Sequence, residues 1–160
     1  MKKFICLLSI VMMAFASVVL SSCGNEDDEE NNNEITLKMT AVHKIKITLT
    51  GDTDNFNCSA LFKGMTWQNN KAEIAEIFDD NGKVLMGQVE NFTSLTGNTN
   101  KYGTTLVVAV LISDNIPGNT GEVTIKFEGY IDGKITNTQS YTIKGSEEKY
   151  HSFTFSTIAR

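Results

Sequence analysis

The chain has 160 residues and a formal net charge of −5, from 14 basic and 19 acidic residues. Arg160 is the sole arginine and no basic patch is visible, which argues against a nucleic-acid partner. The acidity is unevenly placed. Beyond residue 34 the chain carries 12 basic and 13 acidic residues, so its body is nearly neutral.

Lys2 and Lys3 open the chain, and residues 4–20 carry no charge. A positive start followed by an apolar run is the layout of an export signal. A retained membrane helix is the alternative, since the run approaches the roughly 20 residues that span a bilayer. The flank favours the export signal, because the small residues Ser21 and Ser22 lead straight into Cys23.

Leu20-Ser21-Ser22-Cys23 resembles the lipobox of bacterial lipoproteins. The resemblance covers residues 1–23. It implies cleavage between Ser22 and Cys23, and a diacylglycerol on the Cys23 sulfur that anchors the protein to a membrane. Each buried methylene contributes about 0.8 kcal/mol, so two or three acyl chains hold where one would not. An ordinary signal peptide with a chance cysteine is the competing reading. Cys6 leaves with the signal and Cys23 is lipidated, so Cys58 remains as a lone thiol without a disulfide partner.

Residues 23–34 hold Glu26, Asp27, Asp28, Glu29 and Glu30, then three asparagines. This composition buries nothing and reads as a disordered, self-repelling tether. Fully extended, residues 24–34 reach roughly 35 Å. An acidic cluster soon after the lipidated cysteine resembles the surface-export signal of Bacteroidota lipoproteins. That resemblance implies an outer-membrane protein facing the cell exterior; the alternative is a periplasm-facing spacer.

Residues 35–160 suit one domain. Ile35, Leu37, Met39 and Ala41 alternate with polar neighbours, as do Ile45, Ile47 and Leu49. Phe56, Cys58, Ala60 and Phe62 share a face. A period of two predicts strands. Residues 63–70, Lys-Gly-Met-Thr-Trp-Gln-Asn-Asn, show no alternation and read as a loop. Trp67 on that loop is the candidate ligand-binding residue, stacking on a sugar ring or anchoring a protein partner. The bland reading is that it closes one end of the domain.

Residues 70–80 are ambiguous. Asn70 and Glu73 fit a capping box opening a short helix. Alternatively, Asp80-Asn81-Gly82-Lys83 turns a hairpin with arms 73–79 and 84–91, the reading favoured here. Residues 106–112 form a continuous apolar run, suited to a strand buried on both faces. Asp132-Gly133 separates runs 122–131 and 134–144 and predicts a type I′ hairpin. A last strand is expected over 150–157, with Phe153 and Phe155 inward.

The pattern predicts an all-β, antiparallel β-sandwich, with an up-and-down barrel as the alternative. Residues 121–144 resemble the last hairpin of immunoglobulin-like and fibronectin type III-like bacterial modules. The Cys…Trp…Cys spacing of antibody domains is missing from the sequence.

No set of catalytic residues, metal ligands or cofactor-binding residues stands out. His43 and His151 lack ligand-spaced neighbours, and no G-x-S-x-G occurs. Asp52-Thr53-Asp54-Asn55 and Asp79-Asp80-Asn81-Gly82 invite a calcium reading, but neither continues the EF-hand pattern and plain turns prefer the same residues. Asn57-Cys58-Ser59 and Asn91-Phe92-Thr93 match the glycosylation pattern without that meaning in a bacterial lipoprotein. Cys58 reads as a buried small hydrophobe. The expected function is therefore a lipid-anchored, non-enzymatic binding or assembly module with an unknown protein or glycan partner. Glycan capture for a polysaccharide-uptake system is the first alternative. A small hydrolase whose acids meet only in the fold is the second.

Overall fold

The computed structural model describes residues 40–68, 71–99, 103–145 and 150–159, within the unit Glu34–Arg160. Cys23 and the expected export signal, tether and first strand up to residue 39 lie outside the described residues. Ala41, the last member of that strand's apolar set, is buried and bridges Gly103.

Among the described residues nine strands form. They are β1 His43–Gly51, β2 Phe56–Gln68, β3 Lys71–Ala75, β4 Gln88–Glu90, β5 Ser94–Asn98, β6 Thr105–Asp114, β7 Glu122–Ile131, β8 Lys134–Lys144 and β9 Tyr150–Ile158. A single 3-10 turn, Thr53–Asn55, links β1 to β2. No helix among them is long and apolar enough to cross a membrane. One sheet has the order β5-β1-β7-β8; the other runs β3-β2-β6-β9, with β4 also on β2. The pairs between these strands are antiparallel. Two open sheets with separate edges make the expected sandwich and not the alternative barrel. The chain crosses between sheets after β1, β4, β5, β6 and β8.

Period-two alternation does what it predicts. Ile45, Ile47 and Leu49 of β1 face Phe56, Cys58 and Ala60 of β2 across one core, joined by Val123, Ile125 and Phe127 of β7. Burying side chains of this size contributes about 1.5–3 kcal/mol each. In β6, Leu106, Val108, Val110 and Ile112 point into the core, and Ala109 and Leu111 are buried on the other face, so the continuous apolar run is covered on both sides. Asp132 (φ 49°) and Gly133 (φ 76°) form the two-residue turn between β7 and β8. The bulge at Gly129/Tyr130 in this hairpin has no signal in the sequence. The hairpin is followed by β9 in the opposite sheet.

The ambiguous region resolves to strand rather than helix. The expected hairpin is reduced to one bridge, Phe78 to Val84, closed by Asp79 N–H to Lys83 O at 2.9 Å. Its flanks, β3 and β4, pair instead with successive stretches of β2. The cause is the length of β2. Its 13 residues leave a long edge opposite β6, and Ile77 drops into the core between the two short strands.

The sandwich has two chemically distinct ends. At the entry end the chain arrives at Thr40–Ala41, β1 begins and the Asp132-Gly133 turn lies. At the far end β1 stops at Gly51 beside Val123, and Phe56 of β2 pairs with Asp114.

Candidate functional site

The far end gathers the loops 52–55, 91–93 and 114–121. Between them lies a cleft of about 290 Å³. Its floor is apolar, with Leu49, Phe56, Cys58, Phe92, Ile112 and Val123 drawn from both sheets. Its rim is polar: Asn57, Asn91 and Asn115 supply amides, Thr53 and Thr93 hydroxyls, and Asp54 the one carboxylate. An apolar floor under a few convergent polar groups is the usual build of a small-ligand site. Asn91 holds a positive φ of 54°, a conformation asparagine tolerates better than most residues. Its N–H donates to Cys58 O at 2.9 Å, which fixes the loop over the cleft.

Behind the rim the loops are knitted by side chains. Asn119 Nδ2 donates to Asp114 Oδ1 at 3.0 Å, and Asn119 Oδ1 accepts from Gly121 N–H at 2.8 Å. Asp52 Oδ2 accepts from Glu122 N–H at 3.0 Å. Gly121 packs close against this network, since a Cβ would sit 2.8 Å from Asn55 Nδ2, 2.9 Å from Asp52 Oδ2 and 3.0 Å from Asn119 Oδ1 and would push those side-chain ends aside.

Trp67 is elsewhere. It lies in β2 opposite Ala72 of β3, at the entry end, and not on a loop as predicted. It is 49% exposed, so it does not close the sandwich either. Trp67 and the far-end cleft do not come together. Most of the length of β2 separates them.

The remaining candidates have structural settings. His43 is fully buried, with Nδ1 2.9 Å from Thr157 Oγ1 and Nε2 3.0 Å from Gly103 O. Burial lowers its pKa, against smaller opposing effects of the Gly103 hydrogen bond and the Asp132 charge. His151 begins β9's inward face, and its Nε2 is buried without a partner. Cys58 lines the cleft floor, and burial pushes its thiol up to about 12, which keeps it an inert thiol. Asp79 Oδ1 accepts from Asn81 N–H and Lys83 N–H at 2.9 and 2.8 Å, the bonding of a plain turn. Among the described residues no group of three or more His, Cys, Asp or Glu converges.

A second groove lies between β8 and β9 near the entry end, with Asp132, Lys134, Asn137 and Ser156 among its lining. Neither groove pairs two carboxylates.

No protein-family model matches the chain, and no curated protein matches it. Solved structures do resemble it. A domain of unknown function, DUF4425, from Bacteroides vulgatus is 24% identical with a TM-score of 0.64, over 75% of this chain and 97% of that one. A DUF4425 protein from Bacteroides ovatus is 21% identical with a TM-score of 0.62, over 73% and 95%. The calcium-bound form of a Parabacteroides distasonis protein is 14% identical with a TM-score of 0.55, over 82% and 99%. At these identities the likeness is one of fold. It places the sandwich beside domains from Bacteroides that have no assigned function.

Proposed function

We propose that the protein is a lipid-anchored outer-membrane module, facing the cell exterior, that binds its ligand without transforming it. The observation that carries the binding reading is the far-end cleft, with its apolar floor and amide rim. Three amides and two hydroxyls offer both donors and acceptors, and the floor suits a weakly polar face. A sugar ring combines those features, so a neutral glycan is the preferred ligand class. A hydrolase that uses two acids finds no pair in either groove. The lipobox, the acidic tether and the fold shared with domains from Bacteroides support the address.

The two parts are tested separately. Cys23→Ala is expected to leave an unlipidated, uncleaved precursor, and globomycin a precursor that is lipidated but uncleaved; normal cleavage under both treatments removes the anchor. Glycan-array binding by the mature protein is expected to fall at least tenfold, about 1.4 kcal/mol, in Asn57→Ala and Asn115→Ala. Unchanged binding in both variants removes the cleft.

A second reading is cation binding at the same end. The far-end loops carry Asp52, Asp54 and Asp114, which do not converge as a ligand cluster among the described residues, and one structural neighbour is a calcium-bound form. Calcium prefers six to eight oxygens from such loops. An unfolding midpoint that rises with calcium, and no longer does so in Asp114→Asn, would support it; no shift disposes of it.

A further inference from the structure

The geometry points to a second contact with the membrane: we propose that the β2–β3 hairpin docks its apolar face against the bilayer that holds the lipid anchor. The inference rests on the lipid-anchor reading above.

The register of the hairpin sorts its side chains cleanly. Met65 pairs with Ile74 and Trp67 with Ala72. These four residues share the outer face of the sheet, and none is polar. The opposite face carries Thr66 and Glu73. Trp67 is 49% exposed and Ile74 78% exposed, so the apolar face is uncovered. The hairpin also overhangs the sandwich, since the β2–β6 ladder ends at Met65–Thr105 while β2 runs on to Gln68.

The occupant follows from where the chain enters. Ala41 exchanges backbone hydrogen bonds with Gly103 at 2.9 and 2.7 Å, and the next residue, Thr104, donates to Met65 O at 2.8 Å. The root of the hairpin is therefore adjacent to the point where the segment from Cys23 joins the domain. That segment, Cys23 to Met39, has 17 residues. It spans about 60 Å at most, so the hairpin stays within reach of the surface in which the lipid sits. Tethering turns docking into an intramolecular step, for which a small apolar contact is enough. Tryptophan is the side chain most at home at a bilayer interface. Lys63, Lys71, Glu73 and Glu76 around the hairpin balance in charge, so apolar burial and not charge drives the contact.

Trp67 is the only tryptophan, which makes emission a direct reporter. The mature full chain is reconstituted in phosphatidylcholine vesicles with brominated acyl chains, and mass spectrometry of the same preparation checks Cys23. Docking predicts a blue-shifted emission and roughly twofold or greater quenching by the bromines. The quenching is the same in low and high salt, and it is reduced in Ile74→Ser, an exposed position whose change leaves the fold intact. Unquenched emission from protein with confirmed lipid on Cys23 overturns docking while the anchor stands. A shift that appears only on adding a second protein also overturns it and assigns the face to a protein partner. A preparation with no lipid on Cys23 removes the anchor and, with it, the case for a bilayer as occupant.

Discussion

His43 joins three parts of the chain at the entry end. Its N–H donates to Thr99 Oγ1 at 3.0 Å and its ring contacts Thr157 and Gly103. A carbonyl only accepts, so Nε2 carries the hydrogen toward Gly103 and neutral Nδ1 accepts from Thr157. Protonation must occur in a buried site, which is why the pKa is depressed. The sign follows from linkage. The unfolded chain takes up a proton near pH 6.5 that the folded chain refuses until lower pH. This contribution to stability is complete above about pH 6.5 and is lost as pH falls from there toward the folded pKa. Urea unfolding at a series of pH values is expected to show that loss in the wild type, and less of it in His43→Ala. The variant is also expected to be less stable by about 2–4 kcal/mol, because a cavity opens and buried hydrogen bonds go. Cys58 gives a second measurement. A thiol at about 12 within a buried floor predicts negligible reaction with a disulfide reagent at neutral pH in the native protein, and full reaction in denaturant.

The two sheets interlock through glycines. Ile45 of β1 pairs with Gly97 on one side and Gly129 on the other. A Cβ on Gly97 would lie 2.5 Å from the Phe62 ring, and one on Gly129 2.7 Å from Thr157 and 3.0 Å from the Phe155 ring. The missing side chains are notches that receive rings from the other sheet, and Phe155 then stacks on Phe127 at 5.2 Å. Gly97→Ala is expected to cost about 1–3 kcal/mol in chemical unfolding, the usual cost of overpacking. Phe62→Leu in the same chain should recover part of it. Gly133→Ala contrasts with this, since nothing lies within 4 Å of its Cβ and only its positive φ is penalised, at roughly 1 kcal/mol. None of these notches is legible in the sequence, because each depends on which residue of another sheet arrives opposite. Strands β1, β6, β7, β8 and β9 are legible, since their apolar residues keep one parity or form one continuous run. The second half of β2 is not. Its inward apolar residues are even-numbered through Phe62, then Met65 and Trp67 place apolar groups on the outer face. That change of parity looks like the end of alternation, which is why Trp67 reads as a loop residue. β3 and β4 are obscured for a related reason: their positions are set by the free edge of β2 and not by patterns of their own.

At the scale of the molecule, the two ends divide the work proposed for it. The cleft is only partly legible: the turn Asp52-Thr53-Asp54-Asn55 stands out in the sequence, but its meeting with the other loops over a floor from both sheets depends on five crossings between layers. The entry end holds the apolar hairpin beside the incoming chain, so a docked domain would turn its cleft away from the bilayer. Under the proposed anchoring, residues 23–34 would set which side of the membrane it faces. The domain is nearly neutral, with 12 basic and 13 acidic residues, while five acids crowd residues 26–30. An export system that reads charge has its strongest signal there, in sequence that precedes the unit Glu34–Arg160. Replacing Glu26, Asp27, Asp28, Glu29 and Glu30 with Gln and Asn should leave the unfolding midpoint unchanged and the protein in the membrane fraction. Proteinase added to intact cells is expected to remove the wild-type protein and to spare the neutralised variant, which stays inside. Equal removal of both would show that the outward address lies somewhere other than this acidic run. Protection of both would turn the cleft toward the periplasm and replace an extracellular glycan with a periplasmic ligand.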